Sequence, residues 1–238
     1  MSQLQHTFNT TNHENYQALA DKYRPVFARI AEDTLQREKE RILPVEQIQW
    51  LKEAGFTSTR VPIEYGGDGA SLAQLFQLLI ELSQADSNIT QALRGHFAFV
   101  EDRLNAHRDS DQSHWFKRFV EGETVGNAWT EIGTVKIGDL ITKAYQQDEK
   151  WKVSGQKYYT TGSIFADWLD LLVKLEETGE SAIAVTRTKQ AGVVIEDDWD
   201  GFGQRTTGSG TTTVKNADVE EIIIFDTRFK YQTAFYQL

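Results

Sequence analysis

The chain has 238 residues, no Cys, three Pro and a net charge of −10. That length fits one or two domains able to bury a core, and zero Cys excludes disulfides, thiolate metal sites and a Cys nucleophile. The acidic balance, 35 Asp+Glu against 25 Lys+Arg, argues against a nucleic-acid or general polyanion binder. No window approaches the ~18 consecutive apolar residues of a membrane span, and no secretion signal is read at the N-terminus, so the expected location is cytoplasmic.

The first half reads as helical. Tyr16 to Arg41 is a helical stretch with a break expected at Pro25, where a backbone donor is lost. Pro44 to Ala54 follows, with Pro44 in the first turn and Gly55 as a left-handed cap. Leu72, Leu75, Phe76, Leu79 and Leu82 line one face of a third helix, capped by Ser71. Asp86 or Ser87 opens another, running to about Leu104, and Ser113 to Glu121 forms a short last one. After Gly122 the period changes to that of strands. These are Val125–Thr130, Ile137–Gln146, Trp151–Tyr159, Leu169–Leu175, Ala182–Thr186, Gly192–Ile195 and Thr211–Lys215, with hairpin connections at Gln147–Lys150 and Glu176–Glu180. Many short strands at this spacing suggest a barrel or sandwich. The fold class is α+β, an all-α domain followed by an all-β one.

Four segments carry residues suited to chemistry. Glu64 to Gly69 is a tight glycine turn, and without a Lys it is no P-loop. Asn127-Ala128-Trp129-Thr130-Glu131 puts an amide, an indole and a hydroxyl at a strand end. Gly155 to Ser163 crowds hydroxyls at another. Asp197 to Arg205, followed by Ser209-Gly210-Thr211-Thr212, joins an indole, a Gly-rich bend and an Arg. Each segment alone also reads as ordinary structure: a connector, a strand with a core Trp, a closing turn, an acidic loop. The five His residues show no metal spacing, so no metal is assigned, and a lone His96 in a helix is commonly structural.

In order, these segments resemble the acyl-CoA dehydrogenase family of flavoproteins. Leu51 to Gly69 (LKEAGFTSTRVPIEYGGDG) and Val153 to Ala166 (VSGQKYYTTGSIFA) carry most of the likeness, which covers roughly Tyr16 to Val219. Gly126-Asn127-Ala128, Asp197-Asp198-Trp199 and Ser209-Gly210-Thr211-Thr212 tilt it toward the flavin-dependent monooxygenase branch. The resemblance implies that residues 1–122 form a helical domain, 123–226 a middle β-barrel and 227–238 the stub of a helical domain, the family's C-terminal four-helix bundle being absent. It implies flavin contacts as follows. Trp129 and Thr130 touch the ring, Asn127 and Thr161 sit near it with Thr160 alongside, Trp199 meets ring or phosphate, and Ser209 lies nearby. His96 matches a substrate-pocket His of the monooxygenase branch, and no catalytic residue falls in this chain.

The implied cofactor is FAD, with FMN the alternative. The implied partners are a small-molecule substrate, a flavin reductase or electron acceptor and, for the full-length family, further copies of the chain. The implied activity is flavin-dependent oxidation of an acyl-CoA, or oxygenation of a small organic compound, sulfur-containing ones included, with reduced flavin and O2. Val219-Glu220-Glu221 stands where the family has Val-Pro. The expectation is a truncated product or gene fragment, inactive alone. The alternative is a catalytically inactive remnant that folds without flavin.

Overall fold

The computed structural model describes residues 13–133 and 140–224. The expected stub at 227–238 and the start of the strand expected from Ile137 lie outside the described residues.

The helical half contains α1 (His13–Ala31), α2 (Thr34–Glu40), α3 (Val45–Glu53), α4 (Leu72–Ala106) and α5 (Ser113–Val120). One expectation is corrected. Pro25 lies inside α1 without ending it; the chain breaks at 32–33 instead. A helix interior charges about 3 kcal/mol for Pro, and packing offsets it. Tyr23 and Phe27, on either side, are buried and meet the Phe56 ring edge-on at 5.1 and 5.4 Å. The two helices expected on either side of Asp86 are present: the backbone is non-helical at Asp86 (φ −159°, ψ 106°), which divides α4 into two helical parts. Asp86 caps the second part, as expected: its carboxylate accepts the Asn88 N–H at 3.0 Å and pairs with the buried Arg37 guanidinium at 3.0 Å. At the start of α4, Ser71 accepts the Gln74 N–H while Gln74 accepts the Ser71 N–H, a reciprocal capping box. Gly55 follows α3 at φ +78°, a conformation open to Gly without strain.

The second half is one eight-stranded sheet: β1 (Val125–Ala128), β2 (Lys143–Gln147), β3 (Lys150–Lys157), β4 (Trp168–Leu175), β5 (Ser181–Arg187), β6 (Val193–Ile195), β7 (Thr212–Asp218) and β8 (Glu221–Ile224). Its order is β6-β7-β3-β2-β4-β5-β8, with β1 parallel to the first half of β4. The β2–β3 hairpin turns through Asp148 and Glu149, both at positive φ, as the two-residue turn requires. β8 is not among the strands expected from the sequence. It pairs antiparallel with β5.

The sheet rolls around one core. Leu169, Leu171, Val173 and Leu175 of β4 meet Ala182 and Ala184 of β5 and Val214 and Ala217 of β7, a strand remote from both in sheet order. The other face, through Trp168, Ile183 and Val185, packs on α5 and on Phe99 and Val100 of α4. The long helix α4 therefore touches both halves, with α1 and α3 on its first part and β1 on its second. No helix among the described residues is long and apolar enough to cross a membrane.

Candidate functional site

Three strand-end segments converge beside the second part of α4. A Cβ on Gly162 would come within 1.9 Å of the Ala92 carbonyl, and one on Gly95 within 2.7 Å of Asn127 Oδ1. Small residues thus let β1 and the 158–163 turn lie directly on the helix. The Tyr158 N–H donates to the Thr130 carbonyl, joining the end of β1 to the end of β3. The Thr160 N–H donates to Gly210 O and the Gly162 N–H to Thr207 O, which brings the 207–210 segment alongside.

A connected group of side chains sits here. Thr161 Oγ1 lies 2.8 Å from Ser209 Oγ, which lies 2.6 Å from Thr207 Oγ1. The Thr207 hydroxyl donates to the Gln204 carbonyl at 3.0 Å, and the Trp199 indole N–H donates to the same carbonyl at 2.9 Å. Tyr159 meets the Trp199 ring edge-on with centroids 6.0 Å apart, and 54% of Tyr159 is exposed. The 197–205 loop is tied down from the helical half. Arg41 grips the Asp197 carboxylate with both terminal nitrogens (2.7 and 2.9 Å) and donates to Trp199 O at 2.7 Å, while Arg205 donates to Glu38 O. Asp198 accepts both the N–H and the hydroxyl of Thr211 at 2.7 Å, and these bonds hold its carboxyl below the usual range.

The residues expected from the sequence divide accordingly. Thr161, Trp199 and Ser209 fall together, and Thr130 is exposed at the adjoining strand end. Thr160 points inward, fully buried, with its hydroxyl on Gly210 O and Thr212 Oγ1. Trp129 turns to the sheet and donates its indole N–H to Asp170. Asn127 packs on Gly95, its Oδ1 buried with no hydrogen-bond partner among the described residues. His96 is 1% exposed: Nε2 bonds the Thr57 carbonyl at 2.8 Å and Nδ1 accepts the Val125 N–H. Burial pushes its pKa down to about 4, so a neutral ring bridges the two halves of the core. Tyr159 was not singled out by the sequence reading, although its ring lies open at the site.

Beneath the site lies an ion pair. Lys157 is fully buried, and its ammonium bonds Glu131 Oε1 at 2.7 Å. Glu131 also accepts the Ile141 and Thr142 N–H groups at 2.7 and 2.9 Å. Burial alone would raise this carboxyl, but those bonds together hold it near about 2. The pair locks the segments that carry Thr130 and Tyr159. Elsewhere, a cleft of about 500 Å3 between α3 and the 163–165 turn is lined by Trp50, Lys52 and Phe165 and contains none of the expected site residues.

Residues 13–123, the helical half, match the family described as acyl-CoA dehydrogenase, N-terminal domain. Over that part the chain is similar to acyl-CoA dehydrogenase N-terminal domains. Among curated relatives, the putative acyl-CoA dehydrogenase YdbM of Bacillus subtilis is 26% identical over 75% of this chain and 48% of its own length. The probable FMNH2-dependent monooxygenase SfnC of Pseudomonas putida is 24% identical over 83% and 49%. Dibenzothiophene monooxygenase of Rhodococcus qingshengii is 26% identical over 79% and 46%. The chain thus spans about half the length of the curated relatives it matches. Among solved structures, FMN-bound TdsC from Paenibacillus sp. A11-2 has the same fold, with a TM-score of 0.77 at 23% identity, over 86% of this chain and 53% of that one.

Proposed function

We propose that this chain supplies one wall of the flavin site in a family monooxygenase that uses reduced FMN and O2 to oxygenate a small organic substrate. The observation that carries the reading is the grouping of the open Tyr159 ring, the Trp199 indole and the Thr161–Ser209 hydroxyls at one edge of the sheet. An isoalloxazine has an apolar face and a heteroatom edge. Tyr159 and Trp199 fit the face, and Thr161 and Thr130 offer polar partners to the edge. FMN is favoured over FAD by the cofactor in SfnC's name and by the ligand bound in TdsC. A flavin reductase is the partner that an FMNH2-dependent enzyme requires.

A flavin bound there would supply the two electrons that activate O2. The chain's own residues hold and orient. Glu131 and Lys157 fix the two strand ends, Arg41 holds the Trp199 loop, and the rolled core keeps Thr160 and Trp129 as support. His96, neutral and satisfied on both nitrogens, serves the core and is given no role in proton transfer. A phosphate is not steered to the 197–200 loop, which carries Asp197, Asp198 and Asp200 and whose Arg41 is already paired.

Titration of the chain with FMN and FAD, followed by flavin absorbance and fluorescence, tests the reading. Saturable binding weakened by Tyr159→Ala supports it. No binding of either flavin favours the remnant reading. The name of YdbM keeps an acyl-CoA dehydrogenase as the second reading. Assays with an acyl-CoA and an electron acceptor, against reduced FMN and O2, separate the two.

A further inference from the structure

We infer that the cleft between α3 and the 163–165 turn binds a small aromatic monocarboxylate, with the carboxylate on Arg29 and the ring along Trp50 and Phe165. The cleft holds about 500 Å3, within the range of small-molecule sites. Four segments far apart in sequence line it: the end of α1 through Arg29, α3 through Trp50, the turn through Ile164 and Phe165, and the link after β5 through Lys189. It therefore lies on the seam between the helical half and the sheet.

The deciding residue is Arg29. Its guanidinium carbon sits 3.6 Å from the centroid of the Trp50 ring. Stacking engages the flat face of the guanidinium and leaves its N–H donors, which lie in the plane, open to another partner. Among the described residues Arg29 makes neither an ion pair nor a side-chain hydrogen bond. The indole holds the fork in place, so less rotamer freedom is lost on binding. A planar fork of N–H donors matches a carboxylate. Lys189 adds a second cation from the sheet side; it is exposed and also has no partner among the described residues.

The third cation of the lining is already occupied. Lys52 bonds the Asp167 carboxylate at 2.7 Å, and the same oxygen accepts the Thr124 N–H at 2.9 Å. Glu46 and Glu53 are exposed at the rim of the lining, and Glu53 accepts the Gln49 amide at 3.0 Å. With Lys52 and Asp167 cancelling, Arg29 and Lys189 stand against two carboxylates. That balance suits one negative charge on the ligand rather than the two of a phosphate. The apolar part of the lining is aromatic in character: Trp50 and Phe165, both partly buried, pack on the helical core and offer surface to a ring.

No flavin is needed at this cleft, so the test runs on the chain alone. Isothermal titration calorimetry with 2-naphthoate is compared with 2-naphthylmethanol, its neutral counterpart, and with inorganic phosphate. Naphthoate is expected to saturate one site, and the other two to bind about tenfold more weakly or worse. Arg29→Gln should lower naphthoate affinity about tenfold or more. Arg29→Lys, which keeps the charge and loses the fork, should lower it about threefold or more. Lys189→Gln, away from Trp50, should weaken naphthoate about threefold and leave the alcohol unchanged; it carries the test if the Arg29 variants fail to fold, as their urea midpoints would show. Tyr159→Gly, at the candidate flavin site, should leave naphthoate affinity unchanged. No saturable binding, equal affinity for naphthoate and its alcohol, or affinity that survives the Arg29 and Lys189 substitutions overturns the inference. So does phosphate bound as tightly as naphthoate, which marks a simple anion site, or a loss confined to Tyr159→Gly, which places the carboxylate at the flavin site. The flavin reading stands or falls separately, on its own titration.

Discussion

The Trp199 indole N–H and the Thr207 hydroxyl converge on one acceptor, the Gln204 carbonyl, at 2.9 and 3.0 Å. Gln204 has φ +50°, uncommon for a non-glycine residue. One backbone oxygen thus joins the aromatic side of the candidate site to its hydroxyl side.

The Trp199 loop depends on Arg41, and that dependence is measurable. The Arg41–Asp197 pair is partly exposed, with side chains 26% and 34% accessible, so its stability contribution is small, about 1 kcal/mol or less. Its effect on loop position is larger, because the same guanidinium also holds Trp199 O. Arg41→Ala is expected to leave the urea midpoint nearly unchanged while shifting Trp199 emission to the red, read against a Trp199→Phe background. High salt should produce a weaker version of the same shift. An unchanged spectrum would show that Asp198 and Arg205 suffice to hold the loop.

Close backbone approach makes a second prediction. Gly162 sits at φ +76°, and a Cβ there would collide with the Ala92 carbonyl. Gly162→Ala combines strain with forced separation of the turn from α4, and should destabilise by about 2–4 kcal/mol. Gly203→Ala, where nothing among the described residues lies within 4 Å, is the control; it should stay within about 0.5 kcal/mol. Denaturant melts of both variants decide the matter.

Acid sensitivity follows from His96. Its folded pKa is about 4 against an ordinary 6.5. The unfolded chain therefore binds this proton first. Stability is full above pH 6.5 and falls as the pH drops toward 4, by about 3 kcal/mol from this residue. Glu131, held near about 2 against 4.5, adds its loss only in the window below 4.5. Urea melts between pH 8 and 4.5 isolate the His96 window. A His96→Gln variant should be less stable at pH 8 and much flatter across that range.

Much of the fold was legible because local chemistry and tertiary packing agree. Ser71 with Gln74, Gly55 after α3 and the turn at Asp148–Glu149 each carry their instruction within four residues. Pro25 misled because Tyr23 and Phe27, on either side of it, pack against Phe56 and hold the helix together, a contact the local pattern does not contain. The site was legible by segment but not by side chain. Thr160 and Thr161 are neighbours of one type, yet one is locked to Gly210 and Thr212 while the other faces Ser209 and solvent. Tyr159 was missed for a related reason. Strand alternation ends at Lys157, and Tyr159 takes φ +56°, so its direction is set by a bend rather than by a period of two. A buried Lys157 two residues earlier was the available signal, since a charge at an inward strand position needs a partner such as Glu131.

Tyr159 should therefore separate binding from stability. A non-glycine residue at positive φ costs of order 1 kcal/mol, and its edge contact with Trp199 returns about as much. Tyr159→Gly removes both the strain and the contact, so the melting midpoint should stay within about 1 kcal/mol of the unaltered chain. Binding has no such compensation. More than half of the ring is open, and stacking of a flat heteroaromatic ligand on such a ring is worth about 1–3 kcal/mol. On the proposed reading, FMN affinity should fall roughly tenfold or more, at about 1.4 kcal/mol per factor of ten. Parallel thermal melts and fluorescence titrations of one preparation give both numbers. Affinity that survives the substitution would place the ligand away from this ring, whereas a collapse of stability would make Tyr159 a structural residue whose exposure is incidental.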